Sequence, residues 1–429
     1  MVLDRITPPK VRPIATFDIP FPEERVLRNG MPLRIIEAGT EEVVRLDVVV
    51  RGGRMSVLQP FVALLANRML REGSLHYAPS AIAEKLDYYG ASVELSVSLK
   101  HEYVTLYALN KYFPQSLAIV ADFLRHPTFP ERELRTVIET NKQYFRIMEE
   151  KVSTISQKNI NRMLFGDRHP LGYNAELEDF DRIDVDLLKD YYQKHYHSDN
   201  CTLYVSGRVT PQIVSCIEEY VGNESWGERS LKFVAPAYPI ETARGKHCFI
   251  ERKEAVQSAL KMGFLTIPCR HSDYAKFRVL VVLLGGYFGS RLMKNIREKK
   301  GYTYGIEAIL SPVSDESVFL ISTEAANEHV PAILREVGRE IDRLCEMNVG
   351  QKELEIVKNY MLGDFSRSFE GPFSSTDAWI YVETNGLDAD YYRRMIEEIH
   401  SVDRYDILRL AQTYLCKENL IEVVAGEKL

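Results

Sequence analysis

"ERELRTVIETNKQYF", residues 131–145, and "QKELEIVKNYMLGDF", residues 351–365, decide the architecture of this 429-residue chain. Laid over one another, from 131 to 351, they share Glu133 with Glu353, Leu134 with Leu354, Val137 with Val357 and Phe145 with Phe365. A second match closes each half. "NCTLYVSG" from Asn200 lines up with "NLIEVVAG" from Asn419, and both follow a helical stretch opened by Val-Asp, at Val185-Asp186 and Val402-Asp403. Matches in the same order at nearly the same offset mark a tandem duplication.

The elements around these matches repeat as well. "LRIIEA" and "VVRLDVVVRGG" have the β-branched content of strands. Helix-period segments follow at 60–72 and 79–89. "ASVELSVSL" and "EYVTLYAL" alternate apolar and polar residues at period two, as in a sheet with one covered face. Helices are expected near 114–126, 131–150, 153–164 and 184–196, with a last strand at 201–206. The second half repeats this order. Strands lie near 247–252 and 258–265, and helices at 272–286 and 289–300. "YTYGIEAIL" and "SVFLISTEA" form the strand pair, helices fill about 328–415, and "LIEVVA" closes the half. Each half is thus α+β, a mostly antiparallel sheet with helices packed on one face. The chain divides into an extended arm at 1–24, a first domain at 25–221, a polar Gly- and Pro-containing linker at 222–245 and a second domain at 246–429.

Composition narrows the function classes. A net charge of −7 lacks the basic field that nucleic-acid binding needs. The longest apolar stretches, such as "VLVVLLGGYFG" at 279–289, are too short to span a bilayer, and the N-terminal residues do not form a secretory signal. Six scattered cysteines without a CxxC pair suit free thiols, so a cytoplasmic, soluble globular protein is expected.

Three stretches carry a resemblance. They are "PFVALLANRMLREGS" at 60–74, "LFGDRHPLG" at 164–172 and "GGYFGSRLMKNIREKKGYTYGI" at 285–306, the last long and specific. Through them, and over residues 25 to 427, the chain resembles the M16 family of zinc peptidases, the insulinase and mitochondrial-processing-peptidase group. The resemblance implies two tandem domains of the LuxS/MPP-like metallohydrolase fold. It also implies an inverted zinc motif, HxxEH, on the helix at 60–72. There two histidines on one helix face hold the metal, the glutamate acts on its water, and a downstream acid is the third ligand.

Here those positions hold Leu64, Asn67, Arg68 and Asn141. Leucine has no lone pair, asparagine is a poor base, and arginine repels a dication. No metal site of the family's kind is expected. His195 and His197, with Cys201 beyond them, read as partly exposed imidazoles at a helix end, and His169 as a turn histidine. The resemblance further implies a substrate-binding pair in the second half, matched by Arg297 and Tyr304. An arginine holds a peptide carbonyl or carboxylate, and a tyrosine hydroxyl donates to the oxygen on which charge develops.

A bacterial arrangement in the family divides labour between a zinc-bearing chain and a partner of similar fold that supplies the arginine and tyrosine. The expected function is that of the non-catalytic partner in such a heterodimer. Zinc then sits in the other subunit, and the substrate peptide adds as a strand to a sheet edge. A non-enzymatic homodimer or monomer that captures peptides, a purely structural subunit, and a peptidase with its own altered metal site remain alternatives.

Overall fold

The computed structural model describes residue 14 and residues 17–227, 236–313 and 315–428. The expected arm therefore falls largely outside the described residues, as does part of the linker. The first sheet is built from β1 (Glu23–Val26), β2 (Pro32–Glu37), β3 (Val43–Arg51), β4 (Ser92–Val97), β5 (His101–Leu109) and β6 (Cys201–Gly207), in the order β1-β2-β6-β3-β5-β4. The second is built from β7 (His247–Glu251), β8 (Gln257–Thr266), β9 (Thr303–Val313), β10 (Glu316–Ala326) and β11 (Ile421–Gly426), in the order β7-β11-β8-β10-β9. The two orders coincide strand for strand, with β1 the single addition. The parallel pairs coincide too, β2 with β6 and β7 with β11, amid otherwise antiparallel neighbours. The duplication read from residues 131 and 351 is thus a duplication of topology.

In the first half, helices α1 (Val62–Met69), α2 (Pro79–Tyr88), α3 (Phe113–Arg125), α4 (Glu131–Glu149), α5 (Val152–Phe165), α6 (Val185–His195) and α7 (Pro211–Ile217) follow in order. In the second come α8 (Tyr274–Val281), α9 (Val330–Glu346), α10 (Gln351–Arg367), α11 (Pro372–Thr384), α12 (Tyr391–Ser401) and α13 (Arg404–Tyr414). Between α8 and β9 the chain makes two wide helical turns, Val282–Gly286 and Met293–Lys299. The helix expected at 289–300 is this second wide turn. None of the described helices is long and apolar enough to cross a membrane.

Period-two alternation sends each strand's residues to two faces. On β3, Val44, Leu46, Val48 and Val50 join the core formed with the helices of the first half. On β8 and β10, Leu260, Met262, Phe264, Phe319 and Ile321 do the same in the second. The opposite faces are covered as well, each by a helix from the other half. Ile160, Leu164 and Phe165 of α5 cluster with Leu320, Ile421 and Val423 of the second sheet. Trp379 and Ile380 of α11 lie in one cluster with Ile36, Val49 and Tyr204 of the first sheet. The helices packed on one face of each sheet were expected; this reciprocal exchange was not.

Polar contacts reinforce the exchange. The Tyr204 hydroxyl donates to Glu383 at 2.5 Å, Thr202 donates to the same carboxylate at 3.0 Å, and Arg45 pairs with Asp377. The described end of the arm also crosses to the second half. Phe21 packs on Trp379 with ring centroids 5.0 Å apart, and the Trp379 indole N–H donates to the Pro20 carbonyl at 2.7 Å. On the described side of the linker, the backbone of Glu241 and Ala243 hydrogen-bonds to the last turn of α5.

Candidate functional site

Helix α1 is entered through a left-handed residue, Phe61, at φ 68°. An aromatic side chain seldom takes that conformation, and packing holds it here. The Phe61 ring stacks on Phe180 at 3.9 Å and meets the edge of Phe145 at 5.7 Å. Val62, Leu65, Ala66 and Met69 bury the core-facing stripe of the helix. Leu64 and Arg68, four residues apart, share another face, where the family carries its two histidines.

The structure brings Arg68 and Asn141 together. Arg68 Nη1 donates to Asn141 Oδ1, and Asn141 Nδ2 donates to the Val137 carbonyl at 2.7 Å. Asn141, which stands where the third ligand would be, is buried and spends its carbonyl oxygen on the guanidinium. Leu64 offers no donor atom. These residues do not fit a zinc ion, since the group nearest the would-be ligand is itself a cation. Among the described residues no group of three or more His, Cys, Asp or Glu is arranged to hold a metal.

Asn67 is fully buried behind this face. Its Nδ2 donates to the Tyr196 hydroxyl at 3.0 Å, and Tyr196 donates onward to Glu102. Tyr191 donates to the other Glu102 oxygen, and the Gly53 N–H joins it at 3.3 Å. Burial pushes the Glu102 carboxyl up to about 7 although all three donors favour its ionised form. Sequence reasoning passed over Glu102. The signal was present, because 102, 104, 106 and 108 share one face of β5, and the other three are buried apolar residues.

The histidines expected to be partly exposed are corrected by the structure. His195 is 1% exposed and His197 3%. The His195 ring packs on Tyr191 with centroids 4.3 Å apart, and burial pulls its imidazole down to about 4. The end of α6 points inward, toward the first sheet, which period alone did not reveal. His169 does sit in a turn, stacked on Phe165 at 4.8 Å.

Three cavities lie around α1 and Tyr304. A cleft of about 440 Å³ is lined by Arg68, Asn141 and Leu95 of β4, an edge strand. One helical turn away, a pocket of about 640 Å³ with mainly apolar walls is lined by Leu64, Phe61, Phe145, Met148 and Lys261, the last from β8 of the second half. Lys261 in turn donates to Ser322 Oγ at 2.6 Å. Ser322 belongs to the third cavity, a cleft of about 690 Å³ that also contains Phe288 and Tyr304. Lys261 therefore links the Leu64 pocket to the Tyr304 cleft across the two halves.

Tyr304 stands 91% exposed at the start of β9, the edge strand of the second sheet. Arg297, on the wide turn Met293–Lys299, lies over the Phe288 ring at 4.5 Å. It makes no ion pair among the described residues. Wide turns of this kind recur at functional sites because they re-aim side chains out of the regular helical register. Phe288, which the sequence reading did not single out, thus joins the two residues that it did.

Comparison with known proteins agrees with this anatomy. The family model for insulinase (peptidase family M16) matches residues 36–172, and that for the peptidase M16 inactive domain matches residues 182–361. An uncharacterized zinc protease of Bacillus subtilis, YmxG, is 25% identical over 306 residues, covering 70% of this chain and 73% of its own. A probable inactive metalloprotease of the same organism, YmfF, is 28% identical over 263 residues, 56% of this chain and 61% of its own. Among solved structures, a peptidase M16 inactive domain from Pseudomonas fluorescens is similar with a TM-score of 0.83 at 22% identity, over 95% of this chain and 98% of that one. The chain belongs to the M16 peptidase family, as a member in which leucine, asparagine and arginine stand at the positions of the HxxEH motif.

Proposed function

We propose that this chain is the non-catalytic subunit of a heterodimeric M16-type zinc peptidase. It supplies Arg297 and Tyr304 to a peptide whose scissile bond lies at the zinc of a partner subunit of similar fold. The observation that carries the proposal is the contrast between the halves. Arg68 and Asn141 bond to each other where metal ligands would be, whereas Tyr304 lines an open cleft beside an edge strand and Arg297 lies over Phe288, which lines the same cleft. A peptide strand added there gains main-chain hydrogen bonds from the edge. The tyrosine then acts on charge that appears only in the transition state. Relatives named a probable inactive metalloprotease and, in Helicobacter pylori, a non-peptidase homolog support a role without independent catalysis.

The test mixes the purified chain with the nearest HxxEH-bearing relative from the same genome and follows hydrolysis of a quenched-fluorescence peptide. The mixture should cut faster than the relative alone, and Arg297→Ala should remove the gain. A mixture no faster than the relative overturns the heterodimer. If the chain nevertheless binds peptide, that result favours a homodimer or monomer that captures peptides without cutting them.

A further inference from the structure

The side chain that replaces the second zinc histidine is a cation, and what a cation repels and attracts can be read from its surroundings. Arg68 carries five N–H donors on its planar fork, of which the described residues engage one, on Asn141. No carboxylate pairs with it among them. The cleft that it enters is bordered by Leu95 of edge strand β4. The acids on that cleft are Glu72 and Glu133. Glu72 has Arg71 at 3.8 Å, and Glu133 lies two helical turns before Asn141, about 12 Å along α4. In the other direction, one turn along α1, a second pocket begins, with apolar walls at Leu64, Phe145 and Met148.

We infer that Arg68 seats the C-terminal carboxylate of a peptide, whose large apolar last side chain lies in the pocket beside Leu64. This rests on the reading that the chain binds peptide. A guanidinium matches a carboxylate through two parallel hydrogen bonds. Residues at i and i+4 on a helix stand about 6 Å apart, the reach from a terminal carboxylate to the body of its own side chain. The strand preceding the carboxylate would follow the unpaired edge of β4. Positive charge thus remains at the family's metal position. It holds a chain end by hydrogen bonds instead of polarising a bond for cleavage.

The experiment uses fluorescein-labelled decapeptides ending in leucine, made as the free acid and as the amide, and titrated against the full chain by anisotropy. The free acid should bind at least about tenfold tighter than the amide, an amount a charged hydrogen-bonded pair supplies. Arg68→Gln should bind both forms alike, and a terminal glycine should weaken binding to the wild type. Equal affinity of wild type for acid and amide, with Arg297→Ala weakening both, overturns this inference and leaves peptide binding standing. No binding of either form overturns both.

Discussion

Arg45 on β3 donates from Nη2 to Asp377 Oδ1 on α11, 2.7 Å away, and so joins the two halves of the chain. The same guanidinium holds Asp47, a carboxylate with no solvent exposure, through Nε and Nη2. The two partners of Arg45 differ in environment, since the Asp377 side chain is 63% exposed. Arg45→Ala strands a buried charge and should cost on the order of 3–5 kcal/mol in urea unfolding. Asp377→Ala removes an exposed partner and should cost about 1 kcal/mol or less. Equal losses would show that the bridge between halves, rather than the burial of Asp47, sets the energy.

Glu102 and His195 should give the fold opposing pH slopes. The Glu102 carboxyl rises from 4.5 to about 7, so the folded chain holds a proton that the unfolded chain has lost. Its contribution is full below about pH 4.5 and disappears as pH rises through 7. The His195 imidazole falls from 6.5 to about 4, and its contribution is full above 6.5 and disappears as pH falls through 4. Relative to wild type, Glu102→Gln should therefore gain stability as pH rises from 4.5 to 7. His195→Gln should lose it as pH rises from 4 to 6.5. Each swing is on the order of 3 kcal/mol at most, and chemical denaturation at a series of pH values measures it.

The backbone of the metal helix is intact, so the ligands alone should be missing. The triple change Leu64→His, Arg68→His, Asn141→Glu restores two imidazoles at i and i+4 and an opposing carboxylate. It should bind one zinc per chain by elemental analysis after dialysis, while the wild type carries none. A triple variant that folds but stays metal-free would place α1 and α4 wrongly with respect to each other.

On the proposed function the Tyr304 hydroxyl should matter to the partner's catalysis, and its exposure means that it should not matter to folding. Tyr304→Phe should change stability by less than about 0.5 kcal/mol. It should lower the partner-dependent rate by roughly 10²-fold, as loss of one oxyanion donor does. Thermal melting and the mixed-subunit assay read the two quantities separately.

Much of this was legible in the residues. The pairs Glu133 with Glu353 and Leu134 with Leu354 announced the repeat, the alternation in "EYVTLYAL" gave the buried face of β5, and Leu64, Asn67, Arg68 and Asn141 showed that the family's zinc ligands are replaced. These are local signals, because helix and strand periods and the donor atoms of a side chain are properties of a few neighbouring residues. The partners across the fold were not legible. That α5 covers the second sheet and α11 the first, that Arg68 finds Asn141, and that His195 and His197 turn inward all depend on contacts between distant segments. Period says that a face is buried without saying by what. The sequence by itself determined two copies of one α+β unit, one of them stripped of zinc ligands. Only the tertiary structure decided that the copies clasp each other through exchanged helices, because the apolar residues on both faces of each sheet need a cover that its own half does not provide.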